Sequence, residues 1–306
     1  MQLAPIAILA YSRINHLKKT ITALQKNTLA NKSELYIFLD GAKQGDEKIV
    51  DIVRQYIYTI KGFKKVHIFE RTTNNLLKNF ENGMNKLFDK YSKCIYIDDD
   101  IVTAPGFLQF MNDSLEFFKN SKGIISISGY CPPIAAEKYC SDDCFILQRF
   151  SAWGFGIWKE KFDLITEVSE DEFKSLMKDK KEIKNFINGG GEDMLPMLEM
   201  EVNGEIITTD VKAMFRQYKN HQYTVYPKNS LVQNIGHDDS GRHCGTTNKF
   251  DVELWDKIHF KFNHNIIPNK EIIKANFKFR KLAFKDKLTI LTKKIGIYSF
   301  LKMFIK

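Results

Sequence analysis

Short apolar runs alternate with helical patterns through the first 120 residues of this 306-residue chain. Each apolar run has the length of one buried strand, and each helical pattern repeats its apolar residues at the spacing of a helix packed on a core. Strands and helices that alternate in this way form βαβ units. We therefore predict an α/β fold, with a mainly parallel central sheet flanked by helices. The predicted strands span residues 3–10, 34–39, 65–70 and 93–97, and the predicted helices span residues 15–26, 46–60, 76–90 and 105–119.

The pattern changes after residue 123, where a Pro-rich loop and a segment of aromatic residues and glycines interrupt the regular alternation. The three glycines at 189–191 predict a flexible elbow. Because no internal repeat or low-complexity linker interrupts residues 1–265, one domain over residues 1–269 followed by a helical tail over residues 270–306 is the simplest division. The further elements predicted are strands at 124–128 and 144–148 and a charged helix at 170–186.

The composition, 43% hydrophobic and 27% charged, is typical of a soluble globular protein. No apolar run approaches the ~20 residues of a membrane-spanning helix, and the N-terminal sequence does not resemble a secretory signal. The five cysteines are odd in number and scattered, which favours reduced thiols in a cytoplasmic protein over a disulfide framework. Cys140 and Cys144 lack a second Cys/His pair at the spacing of a structural zinc site.

The basic residues are concentrated in the tail. Residues 270–306 hold eleven Lys/Arg and two acidic residues, an excess of nine that equals the formal net charge of the whole chain, +9. Residues 276–306 interleave these lysines with apolar residues, as in an amphipathic helix that lies on an anionic leaflet and gives peripheral membrane contact. A helix docked on the body, or an oligomer contact, is the competing interpretation. Nucleic-acid binding is disfavoured, because the body has neither a basic patch nor a recognised nucleic-acid motif.

Three consecutive carboxylates, Asp98, Asp99 and Asp100, follow the predicted strand at 93–97. Like charges at the end of a buried strand are costly, and a divalent cation such as Mg²⁺ or Mn²⁺ would remove that cost. A solvated acidic turn is the ordinary alternative. The position favours a ligand site, because open α/β sheets bind ligands at the carboxyl ends of their strands.

Other polar residues follow neighbouring predicted strands. Tyr11 and Arg13 come after the first strand, where a nucleotide base and a phosphate could bind, and Asp40 comes after the second. Taken singly, each is also explained as a turn or surface residue. Together they suggest a nucleotide-diphosphate site with a metal. A distal set completes the candidates, namely Glu192, Asp193, Asp210 and His237.

Five segments carry a family resemblance: residues 4–13 (APIAILAYSR), 38–41 (FLDG), 97–108 (IDDDIVTAPGFL), 151–156 (SAWGFG) and 230–241 (SLVQNIGHDDSG). On these segments the chain resembles GT-A glycosyltransferases, and most of all the bacterial family-2-like sugar transferases of surface polysaccharide and lipopolysaccharide clusters. It is more distantly similar to N-acetylglucosaminyltransferase I. The resemblance implies a GT-A fold with a nucleotide-binding half over residues 1–120 and an acceptor-binding half over residues 121–269.

The resemblance also implies roles for the donor side of the site. Arg13 would meet the diphosphate and Asp40 the base, Asp98 and Asp99 would face the ribose or nucleotide, and Asp100 would hold Mn²⁺ or Mg²⁺. One departure is the first acidic position, often Glu in relatives, where Asp98 has a shorter reach. His237 is a candidate axial metal ligand, since some GT-A enzymes supply a late His. The alternative is a loop histidine that bonds a backbone carbonyl.

The reaction implied is a single displacement with inversion, in which a carboxylate deprotonates the acceptor hydroxyl. Asp193, beside Glu192 in a motif that follows a glycine stretch in several inverting GT-A enzymes, is the favoured base. Asp210 is the other candidate, by its spacing to Pro227 and Gly236. If Asp193 is not the base, Glu192 and Asp193 would stabilise the N-terminus of a helix. A retaining course stays open.

The expected activity is therefore a metal-dependent hexosyl- or N-acetylhexosaminyl-transferase. It would move a sugar from a nucleotide-diphosphate sugar, UDP-sugar foremost, to a saccharide or lipid-linked acceptor in bacterial surface polysaccharide synthesis. A nucleotidyltransferase should show a Gly-rich loop after the first strand, and residues 10–16 contain no glycine. A non-catalytic GT-A domain that binds glycans or partners is the other alternative.

Overall fold

The fold is given by a computed structural model, which describes residues 2–240, 245–284 and 286–288. Ten strands and ten α-helices are assigned within those residues. The strands are β1 Ile6–Ala10, β2 Glu34–Leu39, β3 Lys65–Glu70, β4 Lys93–Ile97, β5 Ile101–Thr103, β6 Ile124–Ser128, β7 Cys144–Leu147, β8 Phe155–Trp158, β9 Tyr223–Pro227 and β10 Val232–Asn234. The helices are α1 Ile14–Gln25, α2 Glu47–Ile57, α3 Leu76–Phe88, α4 Phe107–Phe117, α5 Lys159–Phe162, α6 Glu170–Lys178, α7 Lys180–Gly190, α8 Met194–Val202, α9 Thr209–Lys219 and α10 Lys270–Phe279.

Eight of the strands form one central sheet in the order β3-β2-β1-β4-β8-β6-β9-β7. The four strands of the N-terminal half, β1 to β4, are all parallel to one another. Beyond them the sheet is mixed, because β8 runs antiparallel to both β4 and β6, and β7 runs antiparallel to β9. The predicted α/β class with a large central sheet between helices is confirmed, although its second half is less parallel than expected.

The apolar patterns explain the core. β1 is buried along its whole length, and β2 and β4 are buried in all but their first residues, as expected for strands covered on both faces. One apolar cluster packs α1, α2 and α4 on one face of the sheet, and a second packs α3, α8 and α9 on the other. The carboxyl ends of β1, β2 and β4 therefore meet at one edge, where the chain leaves the core.

A second, two-stranded sheet lies beside that edge. β5 follows β4 after a tight turn and pairs antiparallel with β10, Asn234 opposite Ile101. This pairing brings the loop after β10 next to the turn between β4 and β5. Strands of three residues leave little periodic signal, and neither β5 nor β10 was predicted from the sequence.

Three predicted elements differ in detail. The helix predicted from residue 105 begins at Phe107, because the carbonyl of Pro105 accepts instead from the Thr28 backbone N–H (3.2 Å). The helix predicted over 170–186 is divided into α6 and α7, and Asp179 caps the second by accepting from two backbone N–H groups of its first turn. The expected glycine elbow is mostly helical: α7 continues to Gly190, and only Gly191 has a left-handed φ, 120°.

The described part of the basic tail packs on the body. Helix α10 lies along α7, and Ile272 is fully buried in a third apolar cluster with β7 and β9. Residues 285 and 289–306, which carry most of the predicted amphipathic helix, lie outside the described residues. In the part of the chain that the structure describes, no helix has both the length and the apolar character to cross a bilayer.

Candidate active site

The acidic triplet forms the turn between β4 and β5. The side chains of Asp99 and Asp100 are nearly buried, with 7% and 5% of each residue exposed. The turn is held by its neighbours: the Thr20 hydroxyl donates to the Asp99 carbonyl (2.8 Å), and the Ile235 backbone N–H donates to the Asp100 carbonyl (2.9 Å). The alternative of a solvated acidic turn is therefore wrong for Asp99 and Asp100.

Arg13 neutralises part of this charge from the end of β1. Its guanidinium bonds Asp99, and its second terminal nitrogen lies 2.8 Å from an Asp100 carboxylate oxygen. Burial opposes the charge on Arg13, but the two carboxylates outweigh it and raise the arginine's pKa. Arg13 therefore connects the end of β1 to the acidic turn. The sequence predicted that both lie at one edge of the sheet, but it did not predict this ion pair.

One guanidinium does not balance three carboxylates. Burial, followed by repulsion from Asp100, raises the pKa of Asp98 to about 7, although Asp98 accepts from the Tyr96 hydroxyl (2.5 Å). Burial also raises the pKa of Asp99 to about 6, against the stabilising charge of Arg13. The turn therefore has a deficit of positive charge, and a further cation would be favourable there.

The loop after β10 closes over Asp100. Gly236 has no room for a side chain, since a Cβ there would lie 2.1 Å from Asp100 Oδ2 and 3.0 Å from a terminal nitrogen of Arg13. The next residue, His237, packs its ring on Trp153 and Phe250, with centroids 5.3 and 5.1 Å away. The close approach at Gly236 is a reason for glycine at that position.

Two buried polar atoms at this junction have no hydrogen-bond partner among the described residues: Asp100 Oδ1 and His237 Nε2. Orphaned atoms of this kind are uncommon in folded proteins and need an explanation. A carboxylate oxygen and an imidazole nitrogen suit Mn²⁺, and Mg²⁺ typically takes one or two protein ligands and fills the rest with water and phosphate. Within the described ranges, no group of three or more His, Cys, Asp or Glu side chains is arranged to chelate a metal. The donor set fits a cation that is shared with a bound phosphate.

The other donor-side candidates have partners within the protein. Asp40 is 3% exposed, and its carboxylate accepts from the Asn75 backbone N–H (2.9 Å) and from the Asn74 amide (3.1 Å). Asp40 therefore holds the loop before α3. A contact with a nucleotide base would have to use the same carboxylate oxygens. Tyr11 lies nearer the surface, where its hydroxyl donates to Asp46 (2.5 Å).

The favoured base, Asp193, forms a bidentate ion pair. Arg149, two residues beyond β7, donates its two terminal nitrogens to the Asp193 carboxylate at 2.8 and 2.9 Å. Burial raises the pKa of Asp193, but Arg149 outweighs it, and the net pKa lies below the usual range. A carboxylate held in this way is a weak base until the pair opens.

Glu192 and Asp210 have different surroundings. Glu192 binds the tail, since it accepts from the Leu282 backbone N–H (2.8 Å) and from the Lys287 ammonium (2.6 Å). Asp210 is half-buried in the first turn of α9, where its charge acts on Arg149. The structure therefore groups Asp210 and Asp193 around one arginine and assigns Glu192 a contact outside that group.

Aromatic contacts connect the acidic turn to this distal group. Phe250 packs on His237 on one side, and on the other side the guanidinium carbon of Arg280 lies 5.4 Å from the Phe250 ring. Gly191 lies between the distal residues, because a Cβ there would be 2.7 Å from both Arg280 Cβ and Asp193 Oδ1. The donor-side and distal candidates are thus connected by a chain of contacts through Phe250 and Arg280.

A cleft of about 730 Å³ opens beside His237. It is formed by the end of β10 and by the chain that follows, and most of the residues that line it are polar. These include Gln233, Asn234, Thr247, Asn248 and Asp251. The cleft provides space for a ligand next to His237, which carries one of the two orphaned atoms.

Comparison with known proteins gives a remote structural likeness. No family model matches the chain, and no curated protein matches it. Similar solved structures include residues 1–349 of TarS from S. aureus, with a TM-score of 0.40, 11% identity, 75% of this chain covered and 59% of that one. They also include the mannosyltransferase PcManGT from Pyrobaculum calidifontis in complex with GDP-Man and Mn²⁺ (TM-score 0.37, 8% identity, 71% and 73% covered). A third is GalNAc-T7 with UDP, GalNAc and Mn²⁺ (TM-score 0.43, 11% identity, 76% and 43% covered).

This chain thus spans less than two thirds of the length of the TarS and GalNAc-T7 structures. At these TM-scores the likeness carries no argument about activity.

Two residues of the site were missed by sequence analysis. Arg149 stands in an unremarkable stretch, Gln-Arg-Phe, after a predicted strand. Arg280 was counted only as one of the basic residues of the tail, but its Nε is buried. The sequence holds no signal that separates Arg280 from the other basic residues of the tail, because its contacts join segments that are distant along the chain.

Proposed function

We propose that this chain is a GT-A glycosyltransferase that moves a sugar from a nucleotide-diphosphate sugar to a saccharide acceptor with the help of a divalent cation. The observation that carries the proposal is the pair of orphaned buried atoms, Asp100 Oδ1 and His237 Nε2, at an acidic turn whose charge is only partly neutralised. Asp100 and His237 would hold Mn²⁺ or Mg²⁺. When bound, the cation supplies positive charge against the diphosphate leaving group.

The protein's own residues would orient the donor. Arg13 lies beside Asp100 and, once a cation shares the carboxylates, its guanidinium is placed to pair with a phosphate oxygen. Asp98 and Asp99 become fully ionised as positive charge arrives, because the cation lowers the pKa that burial has raised. Tyr11 and Asp40 line the same edge of the sheet and would contact the ribose or the base.

Asp193 would accept the proton of the acceptor hydroxyl. Its ion pair with Arg149 has to loosen for this step, and an acceptor that hydrogen-bonds Arg149 would release the carboxylate. Asp210, next to the same arginine, is the second candidate for the base. A single displacement with inversion is the course proposed, and UDP-sugar is the donor to test first.

The test is a panel of nucleotide sugars incubated with the chain and Mn²⁺, with released nucleotide diphosphate as the readout, since donor hydrolysis does not need the true acceptor. We expect one donor to be hydrolysed, and chelation of the metal to stop the reaction. Asp100→Asn should lower the rate roughly a hundredfold or more. Asp89→Asn, at an exposed carboxylate that follows α3, is the matched control and should be unchanged.

Absence of hydrolysis and of thermal stabilisation by every donor would contradict the proposal. It would favour instead a non-catalytic GT-A domain that binds glycans or partners. Synthesis of a nucleotide sugar from a sugar phosphate would identify a nucleotidyltransferase.

The cellular setting proposed is the cytoplasmic face of the inner membrane, in bacterial surface polysaccharide synthesis with a saccharide or lipid-linked acceptor. The tail would supply the membrane contact through the part that lies beyond α10. Removing residues 289–306 should then weaken sedimentation with anionic vesicles and leave Mn²⁺ binding unchanged. Equal sedimentation of both forms would count against membrane contact.

A further inference from the structure

Arg280 is a half-buried cation without a carboxylate of its own. It caps the C-terminus of α10, and its Nε is buried without a hydrogen-bond partner in the described chain. The nearby carboxylate, Asp193, is already paired with Arg149. Burial and repulsion from Arg149 lower the pKa of Arg280 to about 10, with only partial relief from Asp193. A guanidinium in this position is costly unless an anion completes it.

The aromatic rings beside Arg280 carry a second cation. The guanidinium carbon lies 5.0 Å from the Phe279 ring and 5.4 Å from the Phe250 ring. The ammonium of Lys249, an exposed side chain, lies 5.3 and 5.6 Å from the same two rings. The rings hold the cations by cation–π attraction and leave their N–H groups for a ligand. Among the described residues, neither cation has a carboxylate within ion-pair distance.

The segment that carries Arg280 is fixed on both sides. Before it, Ile272 and Asn276 of α10 are fully buried. After it, Glu192 accepts from the Leu282 backbone N–H and from Lys287. Because the arginine is held in place before any ligand arrives, little conformational entropy is lost on binding.

We propose that Arg280 and Lys249 form a subsite for an anionic group, a carboxylate or a phosphate, on the acceptor saccharide. This subsite rests on the proposed function, and it identifies the class of acceptor as an acidic or phosphorylated sugar rather than a neutral one. Arg280 and Asp193 are neighbours across Gly191, so an anion at Arg280 places the rest of the acceptor beside the proposed base. The same anion would share the positive charge of Arg149 and weaken its hold on Asp193.

The test is a binding measurement that needs neither donor nor turnover. Titration calorimetry of the full chain with glucuronate, glucose 6-phosphate and glucose, in the absence of metal, separates carboxylate, phosphate and neutral probes. We expect one or both anionic probes to bind and glucose to bind at least about tenfold more weakly. Preference between the two anions identifies the acidic group.

Variants locate the subsite. Arg280→Gln should weaken binding of the anionic probe about tenfold or more. Arg280→Lys should weaken it less, because lysine keeps the positive charge and loses only the bidentate geometry of the guanidinium. Lys249→Gln, at an exposed position where folding is not at risk, should weaken it about threefold. Lys278→Gln, an exposed lysine on the same helix, is the matched control and should leave binding unchanged.

Arg13→Gln separates this proposal from the proposed function, because it impairs the donor side alone. Anion binding that survives in Arg13→Gln and falls in Arg280→Gln supports the subsite even if no nucleotide sugar is hydrolysed. Binding that falls in Arg13→Gln instead places the anion at the acidic turn and overturns the subsite. Equal affinity for glucose and for the anionic probes overturns it as well. So does an affinity for the anionic probe in Arg280→Gln and Lys249→Gln that equals the affinity in Lys278→Gln.

Discussion

The two polar centres of this molecule have opposite charge balances. At the acidic turn, three carboxylates face one arginine, and a carboxylate oxygen of Asp100 is left without a partner among the described residues. At the distal centre, Asp193 pairs fully with Arg149, and Arg280 is the group left over. The first centre suits a cation with its phosphates, and the second suits an anion. The sequence does not contain this difference in readable form, because it depends on which arginine each carboxylate contacts in the folded chain.

The largest effect should come from breaking the distal ion pair. Arg149→Gln removes the partner of a largely buried carboxylate and should lower the free energy of unfolding by about 3–5 kcal/mol. Urea denaturation measures it. Arg54→Gln is the control, because Arg54 pairs with Asp51 and Glu70 at the surface and should cost less than about 1 kcal/mol. Equal losses in the two variants would mean that the distal centre is no more buried than the surface.

Filling the space at Gly236 tests the acidic turn alone. In Gly236→Ala the new methyl group meets Asp100 Oδ2 and displaces the carboxylate, so Mn²⁺ affinity should fall about a hundredfold, or about 2.7 kcal/mol. Gly123→Ala, where a Cβ meets nothing within 4 Å, is the matched control. Unchanged Mn²⁺ affinity in Gly236→Ala would show that Asp100 is not a ligand of the metal.

The pH dependence of stability should follow the two carboxyl groups of the turn whose pKa values are raised in the folded state. Asp98 and Asp99 bind protons more tightly when folded than when unfolded, with pKa values of about 7 and 6 in place of the usual value near 4. The metal-free chain should therefore lose stability through them as the pH rises from about 4 to 7, by up to about 1.4 kcal/mol for each unit by which folding raises a pKa. Comparing wild type with Asp98→Asn by denaturation at several pH values isolates the effect. A pH dependence as steep in Asp98→Asn as in wild type would assign it to other groups.

The smallest effect is expected at the tail contact. Lys287→Gln removes an exposed ion pair with Glu192 and should cost less than about 1 kcal/mol. Glu192→Gln should have a similarly small effect on stability and leave donor hydrolysis unchanged, since Glu192 holds the tail. Loss of hydrolysis in Glu192→Gln would show instead that Glu192 takes part in the reaction.

Much of the fold and part of the site could be predicted from the sequence. The bounds of β2, β3 and β4 agree with their apolar runs, and the acidic turn lies at the carboxyl edge of the sheet, as Asp98–Asp100 indicated. Buried strands and their ends follow from local patterns, which a single sequence contains. Their pairing across the second half of the sheet does not.

The remainder depends on contacts between distant segments. Arg13 and Asp99 are 86 residues apart along the chain, and the loop at Gly236 reaches Asp100 only because two three-residue strands pair. Arg280 falls in the segment for which the sequence left a membrane-facing helix and a helix docked on the body as alternatives, since a pattern of lysines and apolar residues is the same whether the helix lies on lipid or on protein. Its burial against Phe250 is visible only in the fold.

The most direct test of the account is a Mn²⁺ titration followed by electron paramagnetic resonance, in the presence of UDP, on wild type, Asp100→Asn and His237→Phe. The account predicts one bound Mn²⁺ in wild type, an affinity at least about a hundredfold lower in Asp100→Asn, and a smaller loss in His237→Phe. If Asp100→Asn binds Mn²⁺ as tightly as wild type, the acidic turn is not the metal site, and the proposed glycosyltransferase mechanism is contradicted.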